Sequence, residues 1–145
     1  MGWALRGYKF GEGADAGELK RMMQAAHPAL LVQALAPESA GNERLLEMLG
    51  AQTLLAAETG SPLARKREVD FLLRVAGTTQ IAEAIKIAGV APGKPFVLVL
   101  GGDESQLARL ERTDAASWER LERSEPSSED MARLEKSALL DAEKG

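Results

Sequence analysis

A chain of 145 residues, 45% apolar and 28% charged, is long enough to bury roughly 70% of its unfolded surface in one core, and it is neither disordered nor collagen-like in composition. With no cysteine and one histidine, it excludes a disulfide scaffold, a thiolate or multi-histidine metal site and a cysteine nucleophile. No apolar run suits a membrane span, and the opening MGWALRGYKF has neither an apolar signal core nor an A-x-A site, so a soluble, cytoplasmic, single-domain chain is expected. The net charge of −4 is unevenly spread: residues 1–100 carry eleven basic and ten acidic side chains, while 101–145 carry seven and twelve. Local charge decides what a surface binds, and the middle of the chain is mildly basic.

Trp3 to Phe10 reads as a strand, with Trp3 and Leu5 on one face and Tyr8 and Phe10 on the other. Asp15 is placed to cap a helix from Ala16 to about Ala26 with an apolar face of Leu19, Met22, Met23 and Ala26, and Pro28 breaks it. Ala29 to Ala36 is short and apolar, as a strand buried on both faces would be. After a loop at Pro37, Ser39 and Gly41, helical spacing runs from about Asn42 to Glu58, and Gly60 stops it. Ser61 and Pro62 suggest a short helix carrying Leu63 to Lys66. Val69 to Ala76 alternates and reads as a strand, with Val69, Phe71, Leu73 and Val75 inward and Asp70, Leu72 and Arg74 outward.

Gly77 then turns the chain into a helix capped by Thr78 or Thr79, whose apolar stripe is Ile81, Ala84, Ile85 and Ala88. Phe96 to Leu100 is a buried strand, Gly101-Gly102 a turn, and Asp103 with Gln106 a capping-box-like start to a helix through about Arg112. A final helix covers about Glu129 to Ala142. The order of elements suggests a layered α/β domain and leaves strand direction open between parallel and antiparallel.

No catalytic constellation is legible. His27 beside Pro28 reads more simply as a helix-terminal histidine than as a general base, and the carboxylate pairs Asp103/Glu104 and Glu129/Asp130 fall in first helical turns, where acidic residues complement the macrodipole. Gly101-Gly102 lacks the lysine, hydroxyl and further glycines of a phosphate loop. Arg65-Lys66-Arg67 is the feature with most content. Together with Arg74 and Lys86 it is expected to form one basic surface drawn from three consecutive elements, and Gln80 in the first turn of the next helix is placed to meet a base edge or phosphate. The simpler reading of the triplet is a solvated face.

The segment LARKREVDFLLRVAGTTQIAEAIKIAGV, Leu63 to Val90, resembles the Cgi-type, TPRKB-like subunit of the KEOPS complex, most specifically in the run from Gly77 through Thr78, Thr79, Gln80 and Ile81 to Ala84 and Ile85. The preceding LLEMLGAQTLLAAETG and the closing Ala138 to Leu140 fit as well, and one departure is Thr79, where many relatives carry a basic residue. The resemblance implies a single small α+β domain built on a mostly antiparallel sheet of about four strands flanked by helices. It implies a non-catalytic subunit without a cofactor, which docks on the kinase-like ATPase subunit, meets the threonylcarbamoyl-transferase subunit indirectly, and helps recruit tRNA by its 3′ single-stranded end. On that reading the RNA-facing residues are Arg65, Lys66, Arg67, Arg74, Gln80 and Lys86, and the amphipathic last helix helps form the docking surface through Leu134, Leu139 and Leu140. The alternatives are a small hydrolase or transferase using Asp103 and His27, and a structural adaptor without RNA contact.

Overall fold

Every residue from Phe96 to Leu100 is apolar, and a strand of that kind has to be covered on both faces. The computed structural model, which describes residues 2–144, places it at the interior of a four-stranded antiparallel sheet of order β2-β3-β1-β4. Here β1 is Trp3–Phe10, β2 is Leu31–Leu35, β3 is Phe96–Asp103 and β4 is Glu119–Arg120. The fold is α+β, with helices on both faces of the sheet.

Alternation sorts the side chains into two cores. Leu5, Leu31, Leu35, Val97 and Val99 pack under α3 (Glu43–Glu58), α4 (Arg67–Ala76) and α5 (Ile81–Ala88), with Leu134 of α7 (Ser128–Lys144) completing the layer. Ala4, Tyr8, Val32, Ala34, Leu98 and Leu100 face the other way, against Met23 of α1 (Ala16–Ala26) and Leu107 and Leu110 of α6 (Glu104–Arg112). A one-turn helix, α2 (Pro37–Ala40), follows β2. Asp15 and Asp103 cap as the sequence suggests, accepting from Glu18 N–H and from Ser105 and Gln106 N–H, and Asn42 caps α3 through Leu45 N–H, whereas α5 starts from Gln80 without a side-chain cap, not from Thr78 or Thr79.

Three expectations are corrected. Val69 to Ala76 is helical, not a strand. Gly77 caps α4 in the left-handed conformation at φ 75°, its N–H returns to the Leu73 carbonyl, and Asp70 and Arg74 pair one turn apart. The alternation is incidental to a helix buried on most sides, since Asp70 through Val75 are all buried. Leu63 to Lys66 is irregular rather than helical. Gly101-Gly102 is no turn but the continuation of β3, opposite Leu5 and Ala4.

Those glycines are required by Trp3 and Leu30. A Cβ at Gly101 would stand 2.8 Å from Trp3 Cζ2, one at Gly50 of α3 would overlap Trp3 Cη2, and one at Gly102 would overlap Leu30. The indole fills the space that two absent side chains leave between sheet and helix. Elsewhere in this layer, Glu43 is fully buried at the start of α3. Its carboxylate accepts from Gly7 N–H at 3.0 Å and from Arg120 Nε at 2.9 Å, and it pairs with Arg123 at 3.2 Å, which fastens the short β4 to the helix layer. One turn along α3, burial pushes the Glu47 carboxyl up, but hydrogen bonds from Arg123, Leu5 N–H and Arg44 bring it below its ordinary value.

The Trp3–glycine contact makes a test with a change of sign. Gly50→Ala is expected to cost about 1–3 kcal/mol through overpacking. In a Trp3→Ala background the same change is expected to stabilise by up to about 1 kcal/mol, because only the helix-propensity gain remains. Thermal melts of the four proteins of this cycle measure both values.

Candidate functional site

The sequence directs attention to six residues for RNA, and the structure does not bring them together. Arg65 and Lys66 are exposed in the segment before α4, with Arg67 half-buried and its guanidinium 3.4 Å from the Ala29 carbonyl at the entry to β2. Lys86 is exposed near the end of α5, where Ala36 N–H meets the Ala88 carbonyl at the exit of β2. The triplet and Lys86 therefore stand at opposite ends of β2, roughly 20 Å apart at about 3.3 Å per residue. Gln80 is exposed at the start of α5, but its N–H already donates to Thr78 Oγ1 at 3.1 Å, so it does not offer that group to an anion.

Arg74 is a correction. A strand would turn it outward, and it is instead among the largest fully buried side chains, at 1% exposure. Its Nε donates to Asp70 Oδ1 at 2.7 Å, its Nη2 to Asp141 Oδ1 of α7 at 3.0 Å, and its Nη1 to the Ser137 carbonyl. The second oxygen of Asp70 accepts from Leu63 N–H at 2.7 Å. Burial works against the Arg74 charge, and the two aspartates more than compensate, raising its pKa above the ordinary value. The residue joins α4, α7 and the loop before α4, and it is not available to RNA.

The docking residues divide in the same way. Leu134 and Leu140 are buried, Leu134 within the α3–α4 layer, because α7 lies on those helices. Leu139 is 57% exposed and shares the outward side of α7 with Met131, eight positions earlier. The alternative pair is not assembled. His27 Nε2 lies 2.9 Å from Asp114 just beyond the end of α6, whereas Asp103 caps its beginning, about 15 Å away along the helix.

The sequence reading missed a groove of about 670 Å³ along the outer edge of β2. Gln33 and Ala34 form its floor, Val69 and Leu72 of α4 and Ile81 and Ile85 of α5 one wall, and the glycine turns at Gly13 and Gly93 close its other side, Gly13 N–H donating to Gly93 C=O at 3.3 Å. The apolar stripe foreseen on α5 is split: Ala84 and Ala88 are buried, while Ile81 and Ile85 are 52% and 56% exposed and line this space. Lys20 reaches from α1 across the sheet edge to Gln33 Oε1 at 3.0 Å, and Gln33 Nε2 donates to the Glu68 carbonyl at 2.9 Å. Burial lowers the Lys20 pKa and the nearby Lys66 charge lowers it further, against Glu68, which raises it. The signal available in the sequence was the surplus of large apolar residues on α5 relative to what eight helical positions bury.

Among the described residues, no group of three or more histidine, aspartate or glutamate side chains is placed to hold a metal ion, and no helix is long and apolar enough to cross a membrane. No protein-family model matches the chain, and no curated protein matches its sequence.

Breaking the buried ion cluster tests its role. Arg74→Met leaves Asp70 buried without its cation and is expected to cost about 3–5 kcal/mol in denaturant unfolding. Adding Asp70→Asn to that variant is expected to recover part of the loss, since the uncompensated charge is then gone.

Proposed function

We propose that the protein is a non-catalytic, Cgi/TPRKB-like subunit of a KEOPS-type complex. It binds the kinase-like ATPase subunit, reaches the threonylcarbamoyl-transferase subunit through it, and helps recruit tRNA by its 3′ single-stranded end for threonylcarbamoyladenosine modification in the cytoplasm. The reading rests on the resemblance of Leu63 to Val90, and the observation that supports it is that the two consecutive helices of this segment, α4 and α5, pack on each other. Its irregular start presents Arg65 and Lys66, α4 is anchored by Arg74, and α5 follows after Gly77.

Two cations beside Arg67 and Lys20 suit phosphates, and their neighbours Ala64 and Leu63 are not aromatic, so the interaction is with backbone charge rather than by base stacking. Arg74 is withdrawn from the RNA-facing set by its burial, and Lys86 stands at the other end of β2 from Arg67. For the kinase-like subunit, the outward side of α7 with Met131 and Leu139 is the surface that the last helix leaves free.

Binding of full-length tRNA is expected to weaken in Arg65→Ala/Lys66→Ala, with the salt slope flattened by about 0.7 for each phosphate that is no longer neutralised. Filter binding across a salt series measures it, and unchanged affinity and slope return the two residues to a solvated face. For the partner, Leu139→Glu is expected to change stability by less than about 0.5 kcal/mol and to reduce co-purification with the kinase-like subunit. Leu140→Glu, by contrast, buries a charge and is expected to lose more than about 4 kcal/mol. A Leu139→Glu protein that still co-purifies removes α7 from the docking surface.

A further inference from the structure

β2 is an edge strand: it pairs with β3 on one side, and no described strand lies beyond it. Antiparallel pairing turns alternate residues outward, and the outward set can be identified. Ala34 N–H does not enter the ladder but bends to Gln33 Oε1 at 3.0 Å, and Ala36 N–H goes to Ala88 C=O at 2.8 Å. Alternation turns Val32 N–H the same way. The groove lies where a fifth strand would run, with α1 overhanging it from one face of the sheet and α4 and α5 from the other.

We propose that this groove is a docking site for an extended, acidic segment of a partner protein, which adds as a strand to the free edge of β2. Three observations select that occupant. The outward amide at Ala34, held meanwhile by the Gln33 side chain, offers a main-chain hydrogen bond by exchange, the recognition mode of strand addition. Ile81 and Ile85 stand exposed over the edge and supply apolar surface for alternate side chains of the incoming segment. Among the side chains that line the groove, Lys20 and Lys94 outnumber the one carboxylate, Asp15, so the lining carries a net positive charge, with Glu68 outside the lining but close enough to act on Lys20. A nucleic acid strand suits the groove less well, since its lining holds no aromatic ring and no arginine on which a base would stack. The inference goes beyond the function proposed above and stands without it, because Arg65 and Lys66 do not line the groove.

On binding, Gln33 Oε1 gives up Ala34 N–H to a carbonyl of the incoming strand, and Lys20 exchanges its amide oxygen for a carboxylate. The test uses the full chain, isotope-labelled, titrated with acetyl-Val-Glu-Val-Glu-Val-amide, with its lysine counterpart, and with oligoadenylate. The acidic peptide is expected to shift the Val32 and Ala34 amides saturably and to bind at least about tenfold more tightly than the lysine peptide. Lys20→Glu is expected to weaken it by about tenfold. Ala34→Pro is expected to abolish binding while leaving the β2–β3 ladder intact, because the amide it removes points away from β3. Should that variant not fold, Ile85→Asp, at an exposed position on α5, is expected to abolish binding in its place.

The proposal is overturned if the acidic peptide fails to saturate, which leaves Lys20 and Gln33 as guards of the edge against aggregation. It is equally overturned if Lys20→Glu and Ile85→Asp bind the peptide as the parent does. Oligoadenylate shifting the same amides and displacing the peptide overturns it in favour of a nucleic acid site. Because the readout is peptide binding at Ala34, its failure leaves the tRNA salt slope at Arg65 and Lys66 unaffected.

Discussion

The constraint on which the rest of this fold depends is that its interior strand is apolar on both sides. Five consecutive buried residues, Phe96 to Leu100, each contribute on the order of 1.5–3 kcal/mol only if both faces are covered, so the chain needs two helical layers. It spends α3, α4, α5 and α7 on one face and α1 and α6 on the other. The two edges of the sheet are finished differently. At β4 the edge is two residues long and clasped by Arg120 and Arg123 to the buried Glu43. At β2 the helices overhang, but only side chains reach across, which produces the groove.

Charge buried inside the helical layer is the second organising feature. Arg74 and Glu43 lie at essentially no exposure, and each is held by partners from its surroundings: Asp70 and Asp141 for the arginine, Gly7 N–H, Arg120 and Arg123 for the glutamate. Such pairs add little net stability over an apolar replacement, but a misregistered α4 or β4 would leave a bare charge in the core. They fix which surfaces meet, while the leucines determine how strongly.

The capped helices and the strand β1 were legible because their signals are local. Asp15, Asn42 and Asp103 cap the helices that the sequence places after them, and β1 divides its faces as alternation requires. The segment Val69 to Ala76 misled because V-D-F-L-L-R-V alternates by accident, although Arg67, Asp70 and Arg74 also fall on one helical face. The left-handed glycine at Gly77 and the Asp70–Arg74 spacing carried the helical information. That error displaced Arg74 from the core to the surface, and with it the single basic face. The groove was only faintly legible because it is a property of packing: the surplus of large apolar residues on α5 is visible in the sequence, but not that α5 buries its alanines and leaves Ile81 and Ile85 open. Likewise β4 is two residues held by ion pairs rather than by any apolar run.

The position of Trp3 has an optical consequence. The chain has two tryptophans, and the sheet separates them: Trp3 packs in the α3 layer against Gly50 and Gly101, while Trp118 packs in the α6 layer, edge-on to Tyr8 at 5.4 Å and to Phe10 at 5.2 Å. Each indole samples the polarity of one layer and is screened from the other by the thickness of the strands. A chain keeping only Trp3 thus emits from the helical layer that contains Arg74, and one keeping only Trp118 emits from the aromatic cluster beneath α6. The two halves of the molecule carry separate fluorophores without any label being introduced.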